Sequence, residues 1–293
     1  MRRLLNIFLR VGAAFLLLGS GSGCSLLRKG VGSMMTPMAG NLAKSLQRQE
    51  DFALVEEGAP AYLLLLDGLV ESSPQNPDLL LAAASAQTAY AAAFLDKSQA
   101  GRARLMYAKA RDYGLRVLCR NRRFQKVADR PLDEFKTALP SFKKRDVPAL
   151  YATATAWTGW IVSSSGSIDA IAQFPKAMSL MQRVLELDPT WQKGGADMYF
   201  GIYYAVQPLG AGRNLEKSKA HFEKAMEYAG AEYLLPHVVF AEYYARYAFD
   251  QELFEKTLRG VLEQKTDAPD FRLMNEAARR RAQALLDRMD ELF

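Results

Sequence analysis

A chain of 293 residues, 49% hydrophobic and 24% charged, can bury a full core and lacks the composition of a disordered protein. Two cysteines, Cys24 and Cys119, exclude a disulfide framework, and with only His221 and His237 beside them no zinc-ligand cluster can be assembled. The formal net charge is +6, but Arg2, Arg3 and Arg10 belong to a leader; without them 35 basic and 32 acidic residues remain, too weak an excess to imply nucleic-acid binding.

The N-terminus reads as an export signal. Met1 to Arg10 carries three arginines, Val11 to Leu18 is an apolar run too short to span a bilayer, and residues 19–23 are all Gly or Ser. The run ends at Cys24, as in bacterial lipoproteins, whose signal is cut before a cysteine that then carries lipid chains; several acyl chains anchor stably where one is reversible. Secretion with an incidental thiol is the alternative. The expected division is a signal over 1–23, a tether over 24–48 and a helical-repeat domain over 49–293. Ser25 after the cysteine favours the periplasmic face of the outer membrane.

From there the chain reads as helices. Asp51 to Glu71 forms one, with a weak point at Gly58 to Pro60, and Asn76-Pro77-Asp78 opens a second, Pro following an Asn cap being a strong start signal. Leu79 to Leu95 is rich in alanine, which implies close helix approach. Between Arg116 and Arg130 lie six basic residues, either a solvated turn or a contact for anionic headgroups or an acidic partner; Cys119 beside them reads as buried and inert. Pro131 to Lys144 is a short amphipathic segment, Asp146-Val147-Pro148 opens a helix ending at Ser163 to Gly166, and Pro175 opens another that stops at Asp188-Pro189.

Residues Gly194 to Lys265 read as two successive amphipathic helix pairs. Ser218, Phe222, Ala225 and Gly230 have the +4, +3, +5 spacing of the second helix of a tetratricopeptide (TPR) unit, a spacing repeated at Ala177, Met181, Val184 and Pro189. Phe200, Gly201 and Tyr204 supply the first-helix signature, the small residue marking close helix approach. Asn214 and Asp250 are the expected caps and Gly230 the expected left-handed stop. A last helix from about Met274 to Phe293 has its stripe at Ala278, Ala282, Leu285, Met289 and Leu292, with Arg279, Arg280, Arg281 and Arg288 toward water as a capping helix requires. The predicted fold is all-α: an α-solenoid of degenerate TPR-like helix pairs closed by a C-terminal cap.

No catalytic motif occurs: HExxH, GxSxG beyond the leader, a Walker lysine loop and GxGxxG are all missing, and the sequence offers no nucleophile–base pair, cofactor fingerprint or metal cluster. His221, with Glu223 near it in sequence, reads as a surface or helix-packing histidine. What remains is a concentration of tyrosines, with doublets Tyr203-Tyr204 and Tyr243-Tyr244 at matching first-helix positions. Either they pack the core, or they line an aromatic groove for an apolar or amphipathic ligand or a partner segment, together with Gly201 and the insertion Pro208 to Arg213 that contains Gly210 and Gly212.

At Gly194-Gly195, Gly201 to Tyr204, Pro208 to Gly212, Leu215 to Ser218, His221 to Ala225, Ala241 to Ala245, Glu252 to Phe254, Asn275 and the closing Asp290 to Phe293, the chain resembles the TatT family. These are TPR-type lipoproteins associated with tripartite ATP-independent periplasmic (TRAP) transporters. The likeness also takes in Asp146-Val147-Pro148; Arg213-Asn214 departs from the glycine–acid pair expected there. The resemblance implies an all-α lipoprotein with an internal pore or cleft, a homotrimer, and docking of the transporter's periplasmic solute-binding protein, serving hydrophobic or carboxylate solutes. A scaffold lipoprotein for envelope or pilus assembly is the alternative role.

Overall fold

Side-chain caps set the starts of several long helices in the computed structural model, which describes residues 40–293 except Asp96, Ser165, Ala211 and the side chain of Lys97. The leader and Cys24 lie outside these residues. The expected tether ends in a helical segment over residues 40–47, whose Leu42 and Leu46 rest on the first helices. Asp51 caps α1 (Phe52–Ser72) by accepting the Leu54 N–H at 3.0 Å. This helix runs unbroken through Pro60, because the carbonyl that proline leaves unpaired belongs to Glu56 on the exposed side, where water can satisfy it. Asn76 caps α2 (Pro77–Phe94), accepting from the Asp78 and Leu79 N–H groups.

The alanines of α2 do bring helices together. Ala83 and Ala84 are fully buried, and α3 (Ala100–Leu118) and α4 (Val147–Ser163) follow at close range. A Cβ on Gly114 would fall 2.3 Å from the Thr153 hydroxyl, and one on Gly159 within 2.5 Å of the Tyr107 ring. These pairings fix α3 antiparallel to α4. Asp67 on α1 ties the group together, accepting from Tyr113 (2.9 Å) and Lys109 (2.5 Å) of α3 and from Gln87 of α2.

The connection from Cys119 to Asp146 carries more of the core than its short amphipathic stripe suggests. Phe124 and Phe135 of two short helices, Arg122–Gln125 and Leu132–Thr137, are buried with Phe142 in one ring cluster, and Phe135 meets Trp157 edge-on. Its arginines are partly spent on structure: Arg116 donates to the Pro74 carbonyl and Arg120 to that of Gln75, which pins the α1–α2 turn. Cys119 is half-buried, and desolvation pushes its thiol pKa up, which keeps it protonated and unreactive.

Beyond α4 come α5 (Phe174–Leu187), α6 (Gly195–Val206), α7 (Leu215–Ala229), α8 (Leu235–Val239, continuing as a π-helical turn over Phe240–Ala245), α9 (Gln251–Glu263) and α10 (Arg272–Leu286). The expected caps hold: Asn214 accepts the Lys217 N–H at 2.8 Å, Asp250 the Leu253 N–H at 2.9 Å, and Gly230 has φ +61°. Helices α4, α6, α8 and α10 run parallel. Thr158 meets Tyr199 at 3.0 Å, Lys193 and Glu232 pair before α6 and α8, Arg213 and Tyr247 meet after them, and Asn275 and Arg281 of α10 reach Leu234 and Glu242. Helices α5, α7 and α9 return between them, giving stacked antiparallel pairs. Among the described residues there are no strands.

The last helix departs from the expected cap in two ways. It breaks at Asp287-Arg288, and a short helix Met289–Leu292 brings Phe293 edge-on to Phe254 at 5.2 Å. Its arginines are not all given to water either: Arg281 pairs with Glu242, Arg279 donates to the Gln264 carbonyl, and Arg280 lies 4.5 Å over the Phe52 ring. That last contact belongs to a seam. Leu273 packs among Val55, Ala59, Leu63 and Tyr90, Arg48 pairs with Asp270 at 2.7 Å, and Arg272 with Glu50 at 2.9 Å. The array curls until its last helix touches its first.

Candidate ligand and partner surface

The turn before α6 sets the candidate site. Gln192, Lys193 and Gly194 take left-handed φ values of 51°, 53° and 81° in succession, a costly conformation for the two side-chain-bearing residues. It lets α6 approach α7 so closely that a Cβ on Gly194 would lie 2.9 Å from the Ala225 Cα. Two turns on, Gly201 faces the buried Phe222 ring, which an added Cβ would meet at 2.9 Å, and Ser218 donates to the Gly201 carbonyl at 2.8 Å. Gly201 therefore sits at a helix crossing. Pro208 and Gly210 with Gly212 are exposed on the α6–α7 turn, away from that crossing.

The two tyrosine doublets are matched in sequence but differ in setting. Tyr203 stacks on Phe174 at 5.8 Å, and Tyr204 lies parallel to the His221 ring at 5.7 Å with Lys217 over it. Tyr243 and Tyr244 fall on the π-helical turn, which widens the helix by one residue and sets Tyr244 against Phe240 at 4.9 Å. Tyr243 stands instead with Glu242 and Arg281; burial raises its hydroxyl pKa, the Glu242 carboxylate adds to the rise, and Arg281 opposes it. Arg281 and Glu242 touch at 2.5 Å as a contact ion pair without hydrogen-bond alignment.

Sequence spacing did not identify the partner of His221. Its Nδ1 lies 2.8 Å from Oδ1 of Asp197, one turn into α6 and buried, while Glu223 is not involved. The ring is held between Phe200 and Tyr204. In the tautomer with Nδ1 protonated, His221 donates to the carboxylate; the second Asp197 oxygen has no protein partner among the described residues. The only sequence clue was an acid on one helix and a histidine on the next, 24 positions apart, which no local pattern connects.

Along the parallel helices run further hydroxyls. Tyr199 on α6 shares a hydrogen bond with Thr158 on α4, and its pKa is pushed up to about 12 by burial; that of Tyr151, beside Gly195, is likewise pushed up to about 12 by burial. Desolvation raises the Tyr233 hydroxyl too, with Tyr151 adding to it. All three stay neutral at physiological pH and act as hydrogen-bonding groups in an aromatic setting. Among the described residues no cluster of three metal-ligating side chains occurs, and no helix is long and apolar enough to cross a membrane.

A family model described as TRAP transporter T-component (TAtT) matches residues 48–293, which takes in every helix from α1 to the C-terminus. No curated protein matches.

Proposed function

Because the chain belongs to the TRAP transporter T-component family, we propose that it serves its transporter as a periplasmic component tethered through lipid on Cys24, that it docks the transporter's solute-binding protein, and that it holds a hydrophobic or carboxylate solute on the way. The match over the whole helical body carries this reading. What supports the solute step is the character of the parallel helices α4, α6, α8 and α10. Neutral, desolvated tyrosine hydroxyls beside aromatic rings suit an apolar body, and the Glu242–Arg281 pair offers a cation for a carboxylate head. Tyr203 and Tyr204 on α6 and Tyr243 and Tyr244 on α8 belong to these helices, with Gly201 setting the α6–α7 spacing and Pro208, Gly210 and Gly212 shaping one rim. Assembly as a homotrimer is part of the proposal.

The test is recovery of the lipidated protein from membranes with its partners and bound small molecules. Co-isolation of a TRAP solute-binding protein is the expected result. Recovery of pilus or outer-membrane assembly factors in its place would overturn the transport reading in favour of a scaffold. Cys24→Ser is expected to release the protein into the soluble periplasmic fraction; unchanged retention would contradict the lipid anchor.

A further inference from the structure

Parallel α4, α6 and α8 end at one edge of the array, so the turns that follow them share that edge. The end of α4 and these turns carry large apolar side chains that nothing among the described residues covers: Val162, Ile168 and Ile171 are 71%, 81% and 58% exposed, Leu209 is 81% exposed and Phe249 78%. An isolated exposed leucine needs no explanation, but uncovered apolar tips on three successive turns do. Phe249 is the sharpest case. It sits at φ +56° in the short turn between α8 and Asp250, a conformation that favours glycine or asparagine and penalises a bulky side chain. A phenylalanine there is unfavourable both for the backbone and for exposure to water.

Behind the tips lies a layer of different chemistry. The Arg213 guanidinium rests 5.1 Å over the Tyr247 ring and that of Arg246 lies 6.0 Å from it. Neither arginine has a carboxylate partner among the described residues. Of the acids on this edge, Asp250 is engaged in capping α9, and Asp169, Glu216 and Glu252 sit in the first turns of helices, where the helix N-terminus offsets their charge. Apolar tips projecting past a Tyr–Arg layer match the depth profile of a bilayer surface, where acyl chains lie below tyrosine-friendly headgroups and their phosphates.

We propose that this edge docks reversibly on an anionic lipid surface, with Ile168, Leu209 and Phe249 entering the headgroup–acyl boundary and Arg213 and Arg246 meeting phosphates. A few tips cannot anchor a protein of this size by themselves; they set its orientation. Docking this way turns the opposite edge, with the Arg116–Arg130 connection and the turns before α6 and α8, toward solvent and partners. The inference rests on the edge geometry alone and does not require the solute reading.

The test uses the full chain carrying Cys24→Ser, so that no lipid anchor contributes and every variant shares the same leader. In Phe249→Trp, emission is followed on vesicles of phosphatidylcholine and phosphatidylglycerol containing brominated lipid. The added signal should be quenched, while a tryptophan introduced at the equally exposed Leu64 of α1 should not. Ile168→Ser, Leu209→Ser and Phe249→Ser together should weaken vesicle partitioning at least about tenfold, given the transfer energies of such side chains, with an unchanged far-UV spectrum. An unquenched Trp at 249, equal quenching at 64, or a triple variant that partitions normally yet loses a protein partner would each overturn the proposal.

Discussion

Gly194 combines two constraints that a side chain cannot meet at once: a left-handed backbone and an approach to the Ala225 backbone that leaves 2.9 Å for a Cβ. Backbone cannot move aside as a flexible side chain can, so Gly194→Ala should cost about 2 kcal/mol or more; an unchanged urea midpoint would show that the α6–α7 crossing has slack. His237 gives the complementary pH prediction. Burial lowers its pKa below the ordinary 6.5, and its buried Nδ1 has no protein partner among the described residues. Between that lowered pKa and 6.5 the unfolded chain binds the proton and the folded chain does not, so stability from this group falls as pH drops through that window. His237→Gln should flatten the slope of stability against pH in the range just below 6.5; an unaltered slope would assign the dependence to other groups.

Among the elements, the start of α10 is fastened by one buried polar side chain. Asn275 is buried, its Oδ1 accepts the Leu234 N–H at 3.0 Å, and its Nδ2 donates to the Glu232 carbonyl at 2.7 Å and meets the Thr266 hydroxyl at 3.2 Å. These bonds join the end of the α7–α8 turn to the start of α10. Asn275→Ala would leave a buried donor and acceptor unpaired and should cost about 2–3 kcal/mol in chemical denaturation. Asn275→Asp keeps the acceptor but sets a buried carboxylate oxygen against the Glu232 carbonyl, so it should cost at least as much; equal stability of Asn275→Ala and the parent would sink the fastening role. The π-helical turn of α8 is a second element-scale feature, carrying Tyr243 and Tyr244 where α6 holds Tyr203 and Tyr204 in regular helix.

For the molecule as a whole, the distinguishing feature is the seam between α1 and α10. Its ion pairs are exposed, so each contributes at most about 1 kcal/mol and salt screens them; Leu273 and the Arg280–Phe52 contact supply the rest. Raising salt should accelerate amide exchange in the first turns of α1 and α10 while leaving α4 and α6 protected. Uniform acceleration, or none, would mean that the seam does not open as a unit.

How much of this was legible in the sequence follows from the range of the interactions. Caps, helix periods and the +4, +3, +5 spacing are local, so Asn76, Asn214, Asp250 and Gly230 could be read directly and the all-α architecture with them; the TatT resemblance agreed with the family match. The helix over Asp51 to Glu71 could be read too, but not that Pro60 leaves it unbroken, because that tolerance depends on which carbonyl faces water. Nor could the Asp197–His221 pair, the buried phenylalanines of the Cys119–Asp146 connection, or the return of α10 onto α1. Each joins positions far apart in the chain, and such contacts exist only once the stacked helices have fixed a common curvature. The amino-acid order by itself determined the helices and their pairing; only the tertiary structure decided which faces meet, which edge is left apolar, and that the array bends back on itself.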